Sequence, residues 1–396
     1  MSCFHPLASD ADAADAEVGN AEGACAWALG RLDGLIASLS AIEAALFGAA
    51  LLRETLLHAL LQAGFEDAQL RFDHWFCGLE REPQQTAISP CPAPAIVRAL
   101  LSDLRHHPWA PLADAATTVA AAARFTVDRF SAEDDRFARN ALVHASDHVD
   151  QVCPSTITSL PFESLLQLVD QLGADPLFAS AEKGLRTLPL GERQVTIEQA
   201  AAASPLWAVE ATMGKVLQAG GSWCTALPCP GAMTAEALQP HLWPGERRMV
   251  LAHNLKRTAT RLADLLATAK AQAARMHSAI GHLRSNARAP HAWNVLAGFA
   301  PLGVEQMVSA FGVSRRGTYA IADALVGAGL ARRHKVKGMV LLVAIEPHEQ
   351  PSPRDDALSP SLAPALAEFD AAMAAVDALL VQSNCCNLEN SLPASC

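Results

Sequence analysis

Residues 304–345 read VEQMVSAFGVSRRGTYAIADALVGAGLARRHKVKGMVLLVAI. The apolar residues among the first eight recur at the spacing of one helical face, which predicts a helix over residues 303–311. Gly312 then supplies a residue that tolerates a left-handed turn, and Ser314 stands where the N-cap of a second helix is needed. The stretch therefore predicts two helices joined by a tight turn.

The end of this stretch predicts a small β-hairpin. Gly329 ends the second helix, and strand-like residues follow at 330–334 and 339–345, joined by the basic run Lys335–Gly338. A basic hairpin after two helices is the layout of a winged helix-turn-helix, which many bacterial proteins use to bind duplex DNA.

Two surfaces of this motif carry the residues that we predict to contact DNA. The helix side chains are expected at the major groove and the hairpin side chains at phosphates. They are Arg315, Arg316 and Tyr319 on the second helix, and Arg332, Arg333, Lys335 and Lys337 on the hairpin. Gly317 and Ala320 stand where base-reading side chains are often found, so we expect a mostly electrostatic affinity.

The predicted partner is double-stranded DNA, and the predicted function is that of a transcriptional regulator or a plasmid-maintenance factor. Winged helices also dock on proteins, so a protein-protein adaptor is the alternative. Salt dependence distinguishes the two, because a protein that contacts several phosphates loses affinity steeply as salt rises.

Charge is distributed unevenly along the chain. Residues 247–337 hold 15 Lys and Arg against 3 Asp and Glu, although the whole chain has a formal net charge of −11. An acidic body with a basic C-terminal region is typical of a protein with one DNA-facing end. The alternative is that the basic residues neutralise the acidic body of the same molecule.

Composition indicates a mainly α fold. The chain has 396 residues, 51% of them hydrophobic and only 5% aromatic, and it is rich in alanine. We predict a multi-helix body, a long connecting helix with an apolar stripe from Leu251 to Leu283, and a C-terminal winged helix-turn-helix with a small β-hairpin. The connecting helix is expected to carry the winged motif off the body, and because it is long for a globular helix, a break near Gly281 is the alternative. A further helix is predicted over residues 197–218.

The predicted segments follow one another along the chain. They are a disordered acidic N-terminus (1–23), an N-terminal helical domain (24–110), a central helical domain (111–244), the long connecting helix (245–289), the winged helix-turn-helix (290–346), a linker (347–361) and a C-terminal amphipathic helix with a tail (362–396). Apolar residues between Leu362 and Leu380 recur at intervals of four and three, as in a coiled coil. This helix either forms a homodimer or docks on the body of its own chain.

No feature of the sequence predicts a targeting signal, a membrane span or a cofactor, so we expect a cytoplasmic protein. The ten cysteines are mostly isolated and predict no disulfide framework. Cys224 and Cys229 have four residues between them, with His241 and His253 later, but this spacing matches no standard zinc finger.

Sequence patterns of common enzymes are missing, so we do not predict an enzyme. The best candidate for a catalytic or metal site is His144 and His148, four residues apart on one predicted helix. Asp150 and Glu133 are the candidate further ligands. The simpler interpretation is a polar helix face.

A resemblance rests on four stretches. They are ALGRLDGLIASL (28–39), FGAALLRETLLHALLQAGFEDAQLRF (47–72), RLADLLATAKAQAARM (261–276) and HLRSNARAPHAWNVLAGFAPLGVEQMVSAFGVSRRGTYAIADALVGAGLARR (282–333). These resemble plasmid-borne bacterial helix-turn-helix proteins of unknown function, over roughly the first and last thirds of the chain. The resemblance implies a helical body followed by a winged helix. This layout is also similar to that of Fic-type proteins, but the chain lacks their HPFxDGNGR loop, and His107-Pro108-Trp109 is the nearest match.

Overall fold

Helices make up most of the fold, as the composition predicts. A computed structural model describes residues 7–86, 88–128, 131–153, 162–179, 184–190, 193–199, 202–281 and 288–345. The helices are α1 (Leu7–Ala37), α2 (Ala41–Gln62), α3 (Ala68–Phe76), α4 (Ala93–Leu104), α5 (Ala110–Ala122), α6 (Ala132–Val152), α7 (Phe162–Ala174), α8 (Leu206–Thr212), α9 (Gly214–Ala219), α10 (Pro244–Ile280), α11 (Ala289–Gly298), α12 (Val304–Phe311) and α13 (Arg315–Gly327). The strands are β1 (Gly184–Leu190), β2 (Arg193–Gln199), β3 (Leu302–Gly303), β4 (Ala331–Val336) and β5 (Met339–Ala344).

The strands form two small antiparallel sheets. β1 pairs with β2, and the C-terminal sheet has the order β3-β5-β4. The mainly α fold with a small C-terminal hairpin is thereby confirmed. The helix predicted over residues 197–218 is wrong at its start, because β2 continues to Gln199 and α8 begins at Leu206.

The N-terminal segment is helical from Leu7, so the prediction of disorder over residues 1–23 is wrong from residue 7 onward. Cys25, Leu29 and Leu32 are buried, and α1 packs along α10. Glu22 is also buried and pairs with Arg248 of α10 at 2.6 Å. The prediction of disorder rested on the acidic composition of this segment. It missed the helix because α1 packs on α10, which lies more than two hundred residues further along the chain.

The helix α10 is a core element. Its predicted apolar stripe is confirmed from Leu251 to Ile280, and Leu283 lies outside the described residues. The helix ends at Ile280 and α11 starts at Ala289, so a single helix over residues 245–289 is wrong at its end. Because α10 packs on α1, α2, α7 and α11, it does not carry the winged motif off the body.

The helix α2 crosses the centre of the core. Among the described helices it is the one long and apolar enough to span a membrane by length and composition, and 61% of that window is buried inside the fold. α3, α4, α5, α8, α10 and α11 all pack against it. At Gly48 a Cβ would lie 2.6 Å from the carbonyl oxygen of Pro111, so glycine allows α2 and α5 to approach closely. These contacts indicate a core helix.

The described residues up to Ala344 form one compact unit. The boundary predicted at residue 110 does not separate two cores, because α2 contacts helices on both sides of it. The predicted linker (347–361), the C-terminal helix (362–396) and its homodimer seam lie outside the described residues.

Candidate nucleic-acid interface

The turn between α12 and α13 has the geometry that the sequence predicts. Gly312 adopts a φ of +60°, and its N–H donates to the carbonyl oxygen of Val308 at 3.1 Å. The Ser314 hydroxyl oxygen accepts a 3.2 Å hydrogen bond from the N–H of Gly317 and so caps α13. Both the left-handed glycine and the serine cap are confirmed.

The hairpin closes through a two-residue turn. Lys337 and Gly338 have φ values of +47° and +83°, as in the type I′ turn that suits the twist of antiparallel strands. β4 therefore extends to Val336, two residues beyond the predicted strand. β3 joins the other side of β5, and its two residues are too few to give a periodic signal in the sequence.

The helix α13 exposes the side chains that the sequence assigned to DNA. Thr318 and Leu325 are fully buried, whereas Arg315, Arg316 and Tyr319 are exposed, Tyr319 by 53%. In the described part of the chain α13 packs on α11, α12 and β4. Its outward face is therefore open to a ligand as large as a nucleic acid.

Two acidic side chains pair with the basic surface. Arg315 lies 2.5 Å from Glu305 of α12, and Arg333 of the hairpin contacts Asp323 of α13. Both pairs are largely exposed, and pairs of this kind contribute about 0–1 kcal/mol each. A phosphate oxygen can therefore replace either carboxylate, although each acid lowers the local positive charge.

Three further basic residues lie on the same motif. Arg316 and Lys335 have no side-chain partner among the described residues, and Arg332 is exposed on β4. The contact between Arg333 and Asp323 places β4 beside the outward face of α13. The predicted residues of the helix and of the strand are thus brought onto neighbouring surfaces.

Lys337, at the tip of the hairpin, contacts the body instead of projecting freely. Its Nζ donates to the carbonyl oxygen of Leu79 at 3.1 Å and lies 3.6 Å from Glu80 Oε1. The expectation that the hairpin tip reaches out to phosphate is thus corrected for Lys337, because the loop after α3 already binds its ammonium group.

The winged module, defined here as α11 to β5 (Ala289–Ala344), is also fastened to the body at α12. The buried Gln306 side chain donates from Nε2 to the carbonyl oxygen of Phe76 at 3.1 Å. Its Oε1 accepts from the N–H of Gly303 at 2.9 Å. Arg124 of the body donates to the Ser309 hydroxyl at 2.7 Å. These contacts were missed because no local pattern marks a partner distant in sequence.

The basic residues of α10 belong mostly to the body. Three of its arginines pair with acidic residues of earlier helices. The pairs are Arg247 with Asp170 at 2.7 Å, Arg248 with Glu22 at 2.6 Å and Arg261 with Glu54 at 2.6 Å. For these three arginines the neutralising alternative is therefore correct. The winged module retains six Lys and Arg against two Asp and Glu.

The two histidines of α6 meet a carboxylate that the sequence did not predict. His148 Nε2 lies 2.9 Å and His144 Nδ1 3.5 Å from Asp175 Oδ2. The candidate ligands named from the sequence have other partners, since Asp150 pairs with Lys215 at 3.0 Å and Glu133 with Arg136. Within the described ranges, no group of three or more His, Cys, Asp or Glu side chains could hold a metal ion.

Cys224 and Cys229 also lie in different environments. Cys224 is exposed, and its N–H donates to Asp33 Oδ1 at 2.7 Å. Cys229 is buried, and burial followed by the nearby Glu210 raises the pKa of its thiol well above 9.0. A thiol with so high a pKa is a poor nucleophile and a poor metal ligand at neutral pH.

A close contact between a histidine and a buried carboxylate was missed by the sequence analysis. His58 Nδ1 lies 3.0 Å from Glu210 Oε2, and the Glu210 side chain is 3% exposed. Glu210 Oε1 accepts a 3.1 Å hydrogen bond from the N–H of Met233. The carboxylate therefore fixes the loop before α10 against α2. Neither residue lies in a motif, so no sequence signal joined them.

No protein-family model matches this chain, and no curated protein shows significant similarity to it. The resemblance to plasmid-borne helix-turn-helix proteins stays a prediction, and the arguments that follow rest on the geometry.

Proposed function

We propose that the protein binds double-stranded DNA through α13 and β4, as a transcriptional regulator or a plasmid-maintenance factor. The observation that carries this proposal is the open face of α13, with Arg315, Arg316 and Tyr319 exposed beside the basic strand β4. A helix of this size fits the major groove, and basic side chains on a neighbouring hairpin suit the flanking phosphates.

Arg316 and Lys335 are the residues on which the proposal depends most. Each is exposed and has no side-chain partner in the described ranges, so neither has to leave a carboxylate before it contacts phosphate. Arg315 and Arg333 would exchange Glu305 and Asp323 for phosphate on binding. A bacterial DNA ligand also implies a cytoplasmic location.

The test is fluorescence anisotropy of the full chain with a random duplex across a salt series. Each phosphate contact contributes about −0.9 to the slope of log K against log salt. We expect the Arg316→Ala/Lys335→Ala variant to bind more weakly and to have a slope smaller in magnitude by about 2.

The matched control is Arg139→Ala/Lys256→Ala, which removes two exposed positive charges from α6 and α10. This variant should bind DNA like the wild type. Failure of the folded wild type to bind at low salt, or equal weakening in both variants, would overturn the proposal that α13 and β4 form the interface.

One observation favours protein docking as a second function. Met339 and Val340, at the start of β5, are 41% and 45% exposed next to the basic hairpin turn. Apolar surface of this kind contributes to protein interfaces more than to phosphate contacts. If Met339→Ser/Val340→Ser binds the duplex as tightly as the wild type does, these two residues lie outside the DNA interface. Their exposed apolar surface would then serve a protein partner.

A further inference from the structure

A cleft of about 540 Å³ lies between the body and the winged module, at a place that the DNA-binding surface does not use. It is bounded by α2 and α5 on one side and by α11 and α12 on the other. Ala45, Ala115, Val295 and Phe311 provide its apolar lining. Sites for small molecules commonly have volumes of about 300–1,000 Å³ and mostly apolar walls.

The cleft exists because the facing surfaces carry small side chains. Alanines line it on α2 and on α5, and the two helices are in close contact where Gly48 meets Pro111. Short side chains beside such a contact leave a space that larger ones would fill. The cleft therefore exists because the residues at these positions have small side chains.

Polar groups are concentrated on the wall formed by α11. Arg288, His291 and Asn294 recur every three residues, so they lie on one side of the helix and its first turn. Arg288 is exposed and has no ion-pair partner in the described part of the chain. Asn294 also lines this wall, with its Oδ1 buried.

The opposite wall carries the reverse charge. Asp114 of α5 lines the cleft and has no ion-pair partner among the described residues. It disfavours an anion on its own side, so an anionic group is directed to Arg288 and His291. The cleft thus presents an apolar floor and a cationic end.

We propose that this cleft binds a small, largely apolar carboxylic acid. The carboxylate would pair with Arg288, and the apolar part would lie against Ala45 and Phe311. Charge-assisted hydrogen bonds to the carboxylate supply orientation, and burial of the apolar part supplies most of the affinity.

The position of Phe311 couples the cleft to the DNA-binding surface. It is the last residue of α12 and directly precedes Gly312, the turn to α13. A ligand there touches both the body and the winged module, so it would change the affinity for DNA. This regulation rests on the proposed function, whereas binding of the acid does not.

The binding test uses anilinonaphthalene sulfonate, an aromatic anion with an N–H group, and the full-length folded protein. We expect a single saturable fluorescence site, with displacement by decanoate and weaker displacement by decanol. Ala45→Leu should obstruct the cleft and Arg288→Gln should remove its cation, each weakening binding about tenfold or more. Leu70→Gln, which alters an apolar side chain 85% exposed elsewhere, is the control and should bind normally.

Equal binding in the wild type, Ala45→Leu and Arg288→Gln would overturn the site, as would loss of binding in Leu70→Gln alone. Adding decanoate to the anisotropy assay tests the coupling separately. A changed DNA affinity in the wild type but not in Ala45→Leu supports regulation. If the affinity for DNA is unchanged when decanoate saturates the cleft, the regulation is overturned but the site is not. If the protein binds the probe but does not bind DNA, the proposed function is overturned but the site is not.

Discussion

Gln306 Nε2 donates a hydrogen bond to the carbonyl oxygen of Phe76 and thereby joins α12 to the end of α3. The same side chain accepts from the N–H of Gly303, and it is 2% exposed. Gln306→Ala removes the acceptor of the buried Gly303 N–H and one of two hydrogen bonds to the carbonyl oxygen of Phe76, which keeps the one from the N–H of Arg124. We therefore expect it to lower the free energy of unfolding by about 2 kcal/mol. Urea denaturation followed by circular dichroism measures this loss.

Gln151 gives a matched control for that measurement, because it is exposed on α6. Gln151→Ala should change the free energy of unfolding by less than about 0.5 kcal/mol. Equal urea midpoints for Gln306→Ala and the wild type would contradict the inference that this amide fastens α12 to the body.

Two glycines of the helix-turn-helix should respond oppositely to alanine. Gly312 has a φ of +60°, and a Cβ added there would meet no other atom. Backbone strain alone therefore opposes Gly312→Ala, and we expect it to lower the free energy of unfolding by about 1 kcal/mol. Gly327, the last residue of α13, has open space and no positive φ, so Gly327→Ala should stabilise by about 0.5 kcal/mol. Thermal unfolding compares the two, and shifts of the same sign would contradict the assigned turn.

Removing the acids beside the basic surface should strengthen DNA binding. Glu305→Gln removes the carboxylate that pairs with Arg315, and Asp323→Asn removes the one that pairs with Arg333. Neither arginine then has to break an ion pair before it contacts phosphate. We expect each variant to bind a duplex about two- to fivefold more tightly at low salt, the range that an exposed ion pair allows. Anisotropy titration measures the change, with Glu236→Gln, an exposed acid outside the winged module, as the control.

The Asp175 carboxylate gives an acid-sensitive contribution to stability. Burial raises its pKa, but hydrogen bonds from His148, the N–H of Leu177 and His144 together outweigh burial and hold the pKa below 3.8. A carboxyl with a lowered folded-state pKa stabilises the fold above its unfolded value and loses that contribution as the pH falls through the folded value.

The stability difference between the wild type and Asp175→Asn should therefore be present at about pH 5 and should disappear towards about pH 2. Urea midpoints across this range measure it. Asp147→Asn, an exposed change on α6, should show no such trend. A difference that grows as the pH falls would contradict the assigned pairing.

The parts of the structure that sequence analysis predicted are those fixed by local chemistry. Gly312, Ser314 and the outward side chains of α13 follow from turn preference, capping and helical period, which act within a few residues. The helices α12 and α13 and the hairpin of β4 and β5 could therefore be derived from one short stretch, and so could the exposure of Arg316 and Tyr319.

The remaining features depend on partners distant in sequence. The order of α1 depends on α10, the state of Lys337 depends on the loop at Leu79, and the pairing of His58 depends on Glu210. None of these partners is marked by spacing or by a motif, because tertiary contacts set them. Counting charges along the sequence also overstated the basic surface at α10, because three of its arginines pair with acids of the body.

The packing of α1 and α2 on α10 sets the order of events during synthesis. At about 5–20 residues per second, α10 leaves the ribosome roughly 10 to 40 seconds after α2. Throughout that interval α2, the one described helix long and apolar enough to span a membrane, has not yet met a helix that packs along it in the fold. The newly made N-terminal half therefore exposes apolar surface that becomes buried only when the rest of the chain arrives.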